Sequence, residues 1–528
     1  MPRQSSSALG RKIAQSTGIV MASVLLSRIL GFCREWAVAH QVGSNGVTDT
    51  YYAAFTLPDF LNYLVAAGAL SVTFIPVFSK YMAEEREEEG WRVFSIVISV
   101  MGVVTVALVI LAEIFAPQLA QAIAPGFNPV EKSRLIFLTR LMLPAQFCFY
   151  MGGILSAVQY AKGKFVIPSL APLVYNTGII LGGILLSSRI GITGFVVGVL
   201  CGSVAGNFLL QVYGAKRAGA HFFPSFNVRH PGFKMFVKLA IPIMLALGLS
   251  FTDDWIIRWF GSYLQPASIT WLSYTKTLMR VPLGMVGQAI GVASFPVLAH
   301  LYSEKRLDEL NRILNATMKG LILLLVPMAA LTIAQSVPLV HLVFSHTRLN
   351  EADLRATASL LVWFSLGMFA WGAQNILARG FYATHDTITP AVVGTILTGL
   401  NILLSWFLVR RDAYVGLAMA SSIGITVYML VLFVLLARRT HDSQAWGLVW
   451  FLTKVGTASV IAGFACRSIV NALGERISWR TTHGAFLDLC ITTAAGLGLT
   501  LLLTKLFRID EVNAYMKRIA SSLGRAFS

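Results

Sequence analysis

Apolar stretches of about 20 residues, long enough to cross the roughly 30 Å hydrocarbon core of a bilayer as helix, recur along the whole chain. They begin near Gln15, Thr50, Val93, Leu135, Phe165, Ile192, Phe236, Thr270, Ile313, Ala356, Ala391, Val415, Leu452 and Ala485, which predicts about fourteen membrane-spanning helices. In lipid every backbone N–H and C=O has to be satisfied within the spanning structure, so such a chain folds as a helical bundle. A mean hydropathy of +0.70 and a charged fraction of 12% fit an integral membrane protein; soluble domains carry roughly 25% charged residues.

Against that background the segment from Ser27 to Asp59 stands out, because Arg28, Arg34, Glu35, Asp49 and Asp59 fall inside predicted spans. A charge at the centre of a spanning helix costs roughly 2.5 to 3.5 kcal/mol on insertion scales, so it faces a polar cavity or a partner rather than lipid. The chain is therefore expected to carry something polar across a membrane. Lys276 and Arg280 sit four residues apart in the eighth span and share a helix face, which suits a second cationic wall.

The net charge of +18 does not call for nucleic acid. The basic residues cluster between spans, as the positive-inside rule requires. With an even number of helices, Arg3, Arg11, Lys12, Lys162, Lys164, Lys216, Arg217, Arg229, Lys305, Arg306, Arg438, Arg439, Lys517 and Arg518 collect on one side, which places both termini in the cytoplasm; Arg410, Arg411, Arg476 and Arg480 lie opposite. The acidic run from Glu84 to Glu89 reads as a solvated loop on the cytoplasmic side. The first apolar segment runs into Arg28 and Arg34 rather than a small-residue cleavage site, so no removable leader is expected. Cys33, Cys148, Cys201, Cys466 and Cys490 lack paired spacing and read as packing residues. There is no GxxxxGK[ST], HExxH or GxSxG, so neither an ATP site nor a hydrolase is expected. His40, His300 and His385 lie near span ends and read as interfacial.

An internal repeat orders the spans. AAGALSVTFIPVFSKYMAEE, ending at Glu85, resembles GQAIGVASFPVLAHLYSEK, ending at Lys305, with Pro76 against Pro296 and Pro58 against Pro282. Six spans separate the copies, so they share an orientation and form a parallel repeat. The expected fold class is an all-α polytopic membrane protein with two six-helix lobes around a central cavity, residues 1–222 and 223–440, and a last segment, 441–528, holding two further helices and a tail. The break falls in the Pro-containing loop from His221 to Pro231.

The chain resembles the MurJ (MviN) lipid II flippases of the multidrug/oligosaccharidyl-lipid/polysaccharide (MOP) exporter superfamily over nearly its whole length. The resemblance is carried, in order, by SRILGFCREWAVAHQVGSNGVTDTYYAAFTLPDFL from Ser27, AAGALSVTFIPVF from Ala66, APGF from Ala124, FVIPSLAPLVYN from Phe165 and ARGFYATHDTITP from Ala378. It implies fourteen helices, two lobes around a cationic cavity, and movement of undecaprenyl-diphosphate-linked peptidoglycan precursor, by alternating access, to the outer leaflet of the bacterial plasma membrane. Arg28 and Arg34 correspond to the family's cavity arginines in SRxLGFxR, and Asp49 to its acidic TD position. Arginine suits a diphosphate because its planar N–H fork matches the oxygens bidentately. Internal pairing of Arg34 with Glu35 or Asp49, and snorkelling of Arg28 to the interface, are the competing structural readings.

The sequence departs from the family in places. Asn62 stands where members carry arginine after the LP of the second helix, and YTKTLMRVP gives Lys276, Thr277 and Arg280 where they show an Asp-Arg pair and a later acid. The expected substrate contacts are therefore Arg28, Arg34, Asp49, Asn62, Lys276 and Arg280. Some members bind sodium near the seventh helix; Asp253 and Asn375 are the candidates for such a site, with Arg258 as a competing neutraliser of Asp253 or Asp254. No organic cofactor is expected, and the candidate energy sources are the membrane potential or a monovalent cation. The expected partners are lipid II, membrane lipid and the cell-wall synthesis machinery. An exporter of another lipid-linked oligosaccharide, or a cation-coupled drug antiporter of the same superfamily, is the alternative. A membrane glycosyltransferase would need catalytic carboxylates and a large external domain, and a pure scaffold would leave the buried charges without a role.

Overall fold

The computed structural model describes residues 6–66, 69–248, 252–474, 481–507 and 509, and within them the side chains outside 6–17, 65–72, 242–248, 285–296 and 474. Arg3, Arg476, Arg480, Lys517 and Arg518 thus lie outside the described residues, as do the side chains of Arg11, Lys12 and Pro296. Every regular element among the described residues is helical. The chain divides into two compact units, Met1–Thr270 and Trp271–Ser528.

The first unit contains α1 (Ser6–Gln41), α2 (Gly46–Ala54), α3 (Thr56–Leu61), α4 (Ala69–Ala83), α5 (Glu87–Ile114), α6 (Ala116–Ile123) and α7 (Pro129–Met142). It continues with α8 (Ala145–Ala161), α9 (Val166–Ile190), α10 (Thr193–Gly202), α11 (Leu210–Arg217), α12 (Pro231–Gly248) and α13 (Thr252–Gly261). Single π-helical stretches at Asn62–Ala66 and Ser203–Leu209 follow α3 and join α10 to α11. α14 (Ser268–Ser303) starts in the last residues of this unit. The second unit contains α15 (Leu307–Ala334), α16 (Ser336–Phe344), α17 (Glu351–Leu366), α18 (Met368–Ala383), α19 (Ile388–Arg439), α20 (Ala445–Gly474) and α21 (Thr482–Leu506).

Among the described residues eight helical stretches, and one pair bent by 40° at Gly367, are long and apolar enough to cross a membrane. One of the eight counts twice. α19 has 52 residues, about 78 Å at 1.5 Å per residue and far too long for one crossing. Its helical geometry breaks at Asp412 and Ala413, the latter with φ 47°, so the spans expected from Ala391 and Val415 are its two halves. The other expected spans fall on α1, α2–α4, α12–α13 and α14. The acidic run is less of a loop than expected, since Glu87, Glu88 and Glu89 form the first turn of α5, where negative charge is favoured by the helix dipole.

Helices in lipid gain little from apolar burial and associate through close packing of small residues. α9 and α10 show this: a Cβ added at Gly178 or Gly182 would stand 2.6 Å from the Cα of Gly202 or Gly198. The core of the first unit is aromatic, with Phe74, Phe78, Trp91, Phe94, Tyr150 and Phe236 packed together, and the Tyr150 hydroxyl is satisfied by the Val97 carbonyl at 2.7 Å. The segment after α11 lies along α5, where Phe223 N–H and Ser225 N–H donate to the hydroxyls of Ser95 and Ser99 (3.2 and 3.3 Å). It then returns to Glu89 through His230 (2.9 Å). α12, which the repeat assigns to the second copy, packs on α4 and α5 in the first unit.

Candidate functional site

Arg34 lies near the end of α1, and its neighbour in sequence holds it. Its Nε and Nη2 donate to Glu35 Oε1 at 3.2 and 2.6 Å, while the other Glu35 oxygen accepts from the Tyr52 hydroxyl of α2. Glu35 is buried and Arg34 is about one-quarter exposed. The carboxylate thus fixes one edge of the guanidinium. Among the described residues Nη1 makes no hydrogen bond, so two N–H donors remain for a ligand.

Two phenols complete this neighbourhood. Tyr51 of α2 and Tyr175 of α9 lie in the vicinity of Arg34, and the Tyr51 hydroxyl is buried with no hydrogen-bond partner among the described residues. An unpaired buried hydroxyl costs about 1–3 kcal/mol. A cation with uncommitted donors beside an unsatisfied hydroxyl has the chemistry to receive an anionic, oxygen-rich group. Arg28, six residues earlier on α1, is exposed. Asn62 is half-buried and opens the π-helical stretch after α3.

Asp49 is differently placed. It is buried, and its carboxylate accepts from Ala267 N–H at 2.7 Å, Thr270 N–H at 2.8 Å and the Thr270 hydroxyl at 2.6 Å. It therefore caps the N-terminus of α14, whose first N–H groups have no partner within the helix. Both oxygens are occupied by this cap. In α13, Arg258 donates to the Thr56 hydroxyl at 2.9 Å, and Asp253 is half-buried.

In the second unit Lys276 is buried, with its ammonium 5.8 Å from the Phe364 ring centre and 5.9 Å from that of Trp371, within cation–π range. Arg280, one turn on, is exposed. Asn375 of α18 donates to its own helix at Trp371 O, 2.9 Å away. The same helix carries Arg379, half-buried in the span, with Nη1 buried and unpartnered among the described residues. Sequence reading passed over Arg379, Tyr51, Tyr52 and Tyr175. For Arg379 and Tyr51–Tyr52 the signal was present, as an intramembrane charge in ARGF and as adjacent tyrosines beside Asp49. No group of three or more His, Cys, Asp or Glu side chains that could hold a metal occurs among the described residues.

A bundle of long apolar helices with cations held inside the spans is the architecture of a polytopic transporter, and two solved transporter structures share its fold. It is similar to a lipid II flippase MurJ in an inward closed conformation (TM-score 0.77, 23% identity, 93% of this chain and 99% of that one). It also matches an inward-facing multidrug resistance MATE family transporter of the MOP superfamily (TM-score 0.61, 15% identity, 78% and 94%).

The family model described as lipid II flippase MurJ matches residues 38–475, and the chain belongs to that family; it is a transporter and not an enzyme. Among its relatives are probable lipid II flippases MurJ of Vibrio cholerae (26% identical, 96% of this chain and 98% of the relative) and Rhizobium tropici (28%, 92% and 91%). The lipid II flippase MurJ of Burkholderia cenocepacia is another (25%, 86% and 89%).

Proposed function

We propose that this family member moves lipid II, the undecaprenyl-diphosphate-linked peptidoglycan precursor, from the cytoplasmic to the outer leaflet of the bacterial plasma membrane by alternating access, and that Arg34 receives its diphosphate. The observation that carries this reading is the Arg34 guanidinium, oriented by Glu35 and Tyr52 yet with Nη1 making no hydrogen bond among the described residues, together with the buried Tyr51 hydroxyl, next in sequence to Tyr52, which also has no partner among them. Glu35 keeps the pair from being a lone buried cation, and the open edge is left for phosphate oxygens. Arg28 and Asn62 are proposed as further contacts in the first unit, and Lys276 and Arg280 as contacts in the second. Asp49 acts in this scheme by holding the start of α14, so its effect on transport is conformational.

Both termini are proposed to be cytoplasmic, on the strength of the basic residues between spans. The lobes are proposed as residues 1–222 and 223–440, with 441–528 as the appended helix pair and tail. With no nucleotide-binding motif in the sequence, transport is proposed to draw on the membrane potential or a monovalent cation, with Asp253 and Asn375 as the residues to vary for the cation. Cell-wall synthesis enzymes are the proposed protein partners.

The test is flipping of a labelled lipid II by parent, Arg28→Ala and Arg34→Ala proteins in liposomes. Charged hydrogen bonds contribute roughly 1.5 to 3 kcal/mol each, so each variant is expected to lose about tenfold or more in affinity for the lipid. Parent-like affinity and flipping in both variants would overturn the assignment of the diphosphate site.

A further inference from the structure

α21 turns one face inward along its length: Ala485, Asp488, Thr492, Gly496, Thr500 and Thr504, three or four residues apart, are all buried. The others on this face are small or hydroxylic. Asp488 is a carboxylic acid, 1% exposed, and among the described residues neither of its side-chain oxygens meets a hydrogen-bond donor.

The polar groups around it are engaged with one another. The Thr492 hydroxyl donates to the Asp488 backbone carbonyl (2.6 Å). Cys466 Sγ of α20 donates to Thr492 O (3.4 Å) and accepts from Gln335 Nε2 (3.2 Å). The Thr493 hydroxyl donates to Gln335 Oε1 (3.1 Å).

Near this end of α21, the charged or titratable groups on the packed elements are Cys466 and Arg467 of α20 and His341 of α16. Arg467 donates to Ala334 O at 3.3 Å, and His341 stands 3.5 Å from Glu351. None of them bonds the Asp488 side chain. Lys319 and Arg312 of α15 and Lys454 of α20 lie toward the opposite helix ends.

A carboxylate in this position would be a negative charge inside a spanning helix with no counter-charge and no donor among the described residues, which costs several kcal/mol. A metal ion would need several oxygen ligands, and no cluster that could supply them occurs among the described residues. A proton removes the charge with no further ligand. Asp488 lies six residues past the start of α21 at Thr482, about 9 Å along the helix. That start is held by His346, whose Nε2 meets the Thr482 hydroxyl.

We propose that Asp488 is a proton-binding site of the α20–α21 pair, loaded in the packed state seen here and exchanging its proton with water when the Thr482 end of α21 loosens during the transport cycle. Loading adds one proton from water to a carboxylate oxygen and removes one negative charge. Unloading returns that proton to water and leaves the carboxylate exposed to it. The site lies in the appended pair of helices, and its chemistry is separate from the Arg34 region.

The test uses full-length protein in liposomes. At neutral pH the infrared spectrum of the parent should contain a protonated-carboxyl C=O band that Asp488→Asn removes and Asp488→Glu shifts. Flipping of labelled lipid II by the parent should change several-fold with pH on the Thr482 side, whereas Asp488→Asn, a permanent mimic of the loaded form, should flip at a rate independent of that pH. The spectrum stands without the flippase reading and the rate rests on it, so the two can fail separately. Identical bands in parent and Asp488→Asn overturn the site. An unchanged pH profile in Asp488→Asn overturns its part in the cycle. If Asp488→Asn does not accumulate, the Asp488→Glu spectrum decides, and an unshifted band overturns the proposal.

Discussion

The two copies of the repeat use the same backbone joints with different residues. Among the described residues, left-handed backbone in the first copy occurs at Gly43, Glu85, Gly163, Gly191 and Gly219, and in the second at Ala267, Lys305, His385, Ala413 and His441. They pair in order, 220 to 224 residues apart. Gly191 (φ 57°, ψ −138°) and Ala413 (φ 47°, ψ −127°) are nearly the same conformation; one separates α9 from α10 and the other bends α19. Capping repeats as well, since Asn128 with Glu131 closes the start of α7 as Asn350 with Asp353 closes that of α17.

Four of these five joints are glycine in the first copy, where the conformation costs little. In the second copy the same turns are made by alanine or histidine, at about 1–2 kcal/mol of steric cost each. The fold of a lobe is thus written in backbone geometry that tolerates large changes of side chain.

The intramembrane cations contrast in the same way. Arg34 is held edge-on by a carboxylate, whereas Lys276 lies over the faces of Phe364 and Trp371. The largest expected difference between the units follows. Arg34→Lys should recover only part of the flipping lost in Arg34→Ala, because an ammonium cannot both satisfy Glu35 and present a flat donor edge. Lys276→Arg should keep most of it, since a guanidinium also stacks on aromatic rings. Transport rates that rank these two conservative variants the other way would break the contrast.

Helix starts come next. Asn45 caps α2 from within its own turn, accepting from Val47 N–H and Thr48 N–H, whereas α14 is capped by the distant Asp49. Asp49→Ala should lower stability by about 3 kcal/mol, since the lost hydrogen bonds include charged ones and strand buried N–H groups. Asn45→Ala should cost about 1 kcal/mol. Thermal unfolding in detergent orders the two, and equal losses would remove the distinction between a local and a long-range cap.

The backbone joints offer a cleaner comparison. A Cβ at Gly191 meets nothing within 4 Å, so Gly191→Ala should lose about 1–2 kcal/mol through backbone strain alone. Ala413→Gly should gain somewhat less, roughly 0.5–1 kcal/mol, because glycine also frees the unfolded chain. Unfolding midpoints that move in the same direction for both would show that the joints are not equivalent.

The smallest effect concerns the loop before α19. Lys164 of the first copy reaches the Arg217 carbonyl, while its counterpart Asp386 accepts from Arg439, the counterpart of Arg217, at 2.9 Å. Burial pushes the Asp386 carboxyl up, but the Thr389 N–H and hydroxyl, the Arg439 charge and the Ile388 N–H outweigh it and hold the carboxyl below its usual value. A depressed carboxyl contributes stability that is complete above the unfolded value, about 3.9, and is lost as pH falls through the folded one. The parent should therefore lose a small increment of stability below about pH 4 that Asp386→Asn does not lose. Matching acid profiles for the two proteins would remove the ion pair from the account.

Much of this fold is legible from hydropathy, because a spanning helix has to declare itself in about 20 consecutive residues. The intramembrane arginines are legible for the same reason, as rare charges in an apolar run. Asp488 obeys that rule too, as a lone acid in an apolar run beyond the last of the quoted motifs, and went unread. What periodicity cannot supply is the partner: Asp49 meets residues 218 and 221 positions away, and Tyr52 reaches Glu35 from another helix. The left-handed turns were half legible, since glycine marks them in the first copy and nothing marks Ala413 in the second.

The most direct measurement replaces a bacterium's own flippase with this chain and follows lipid II in the outer leaflet as the native protein is depleted. Growth should continue, with lipid II reaching the outer leaflet at near-normal levels, and the Arg34→Ala form, present in the membrane in equal amount, should fail on both counts. Lysis with lipid II confined to the inner leaflet despite normal expression of the parent chain, or full rescue by Arg34→Ala, would contradict the account.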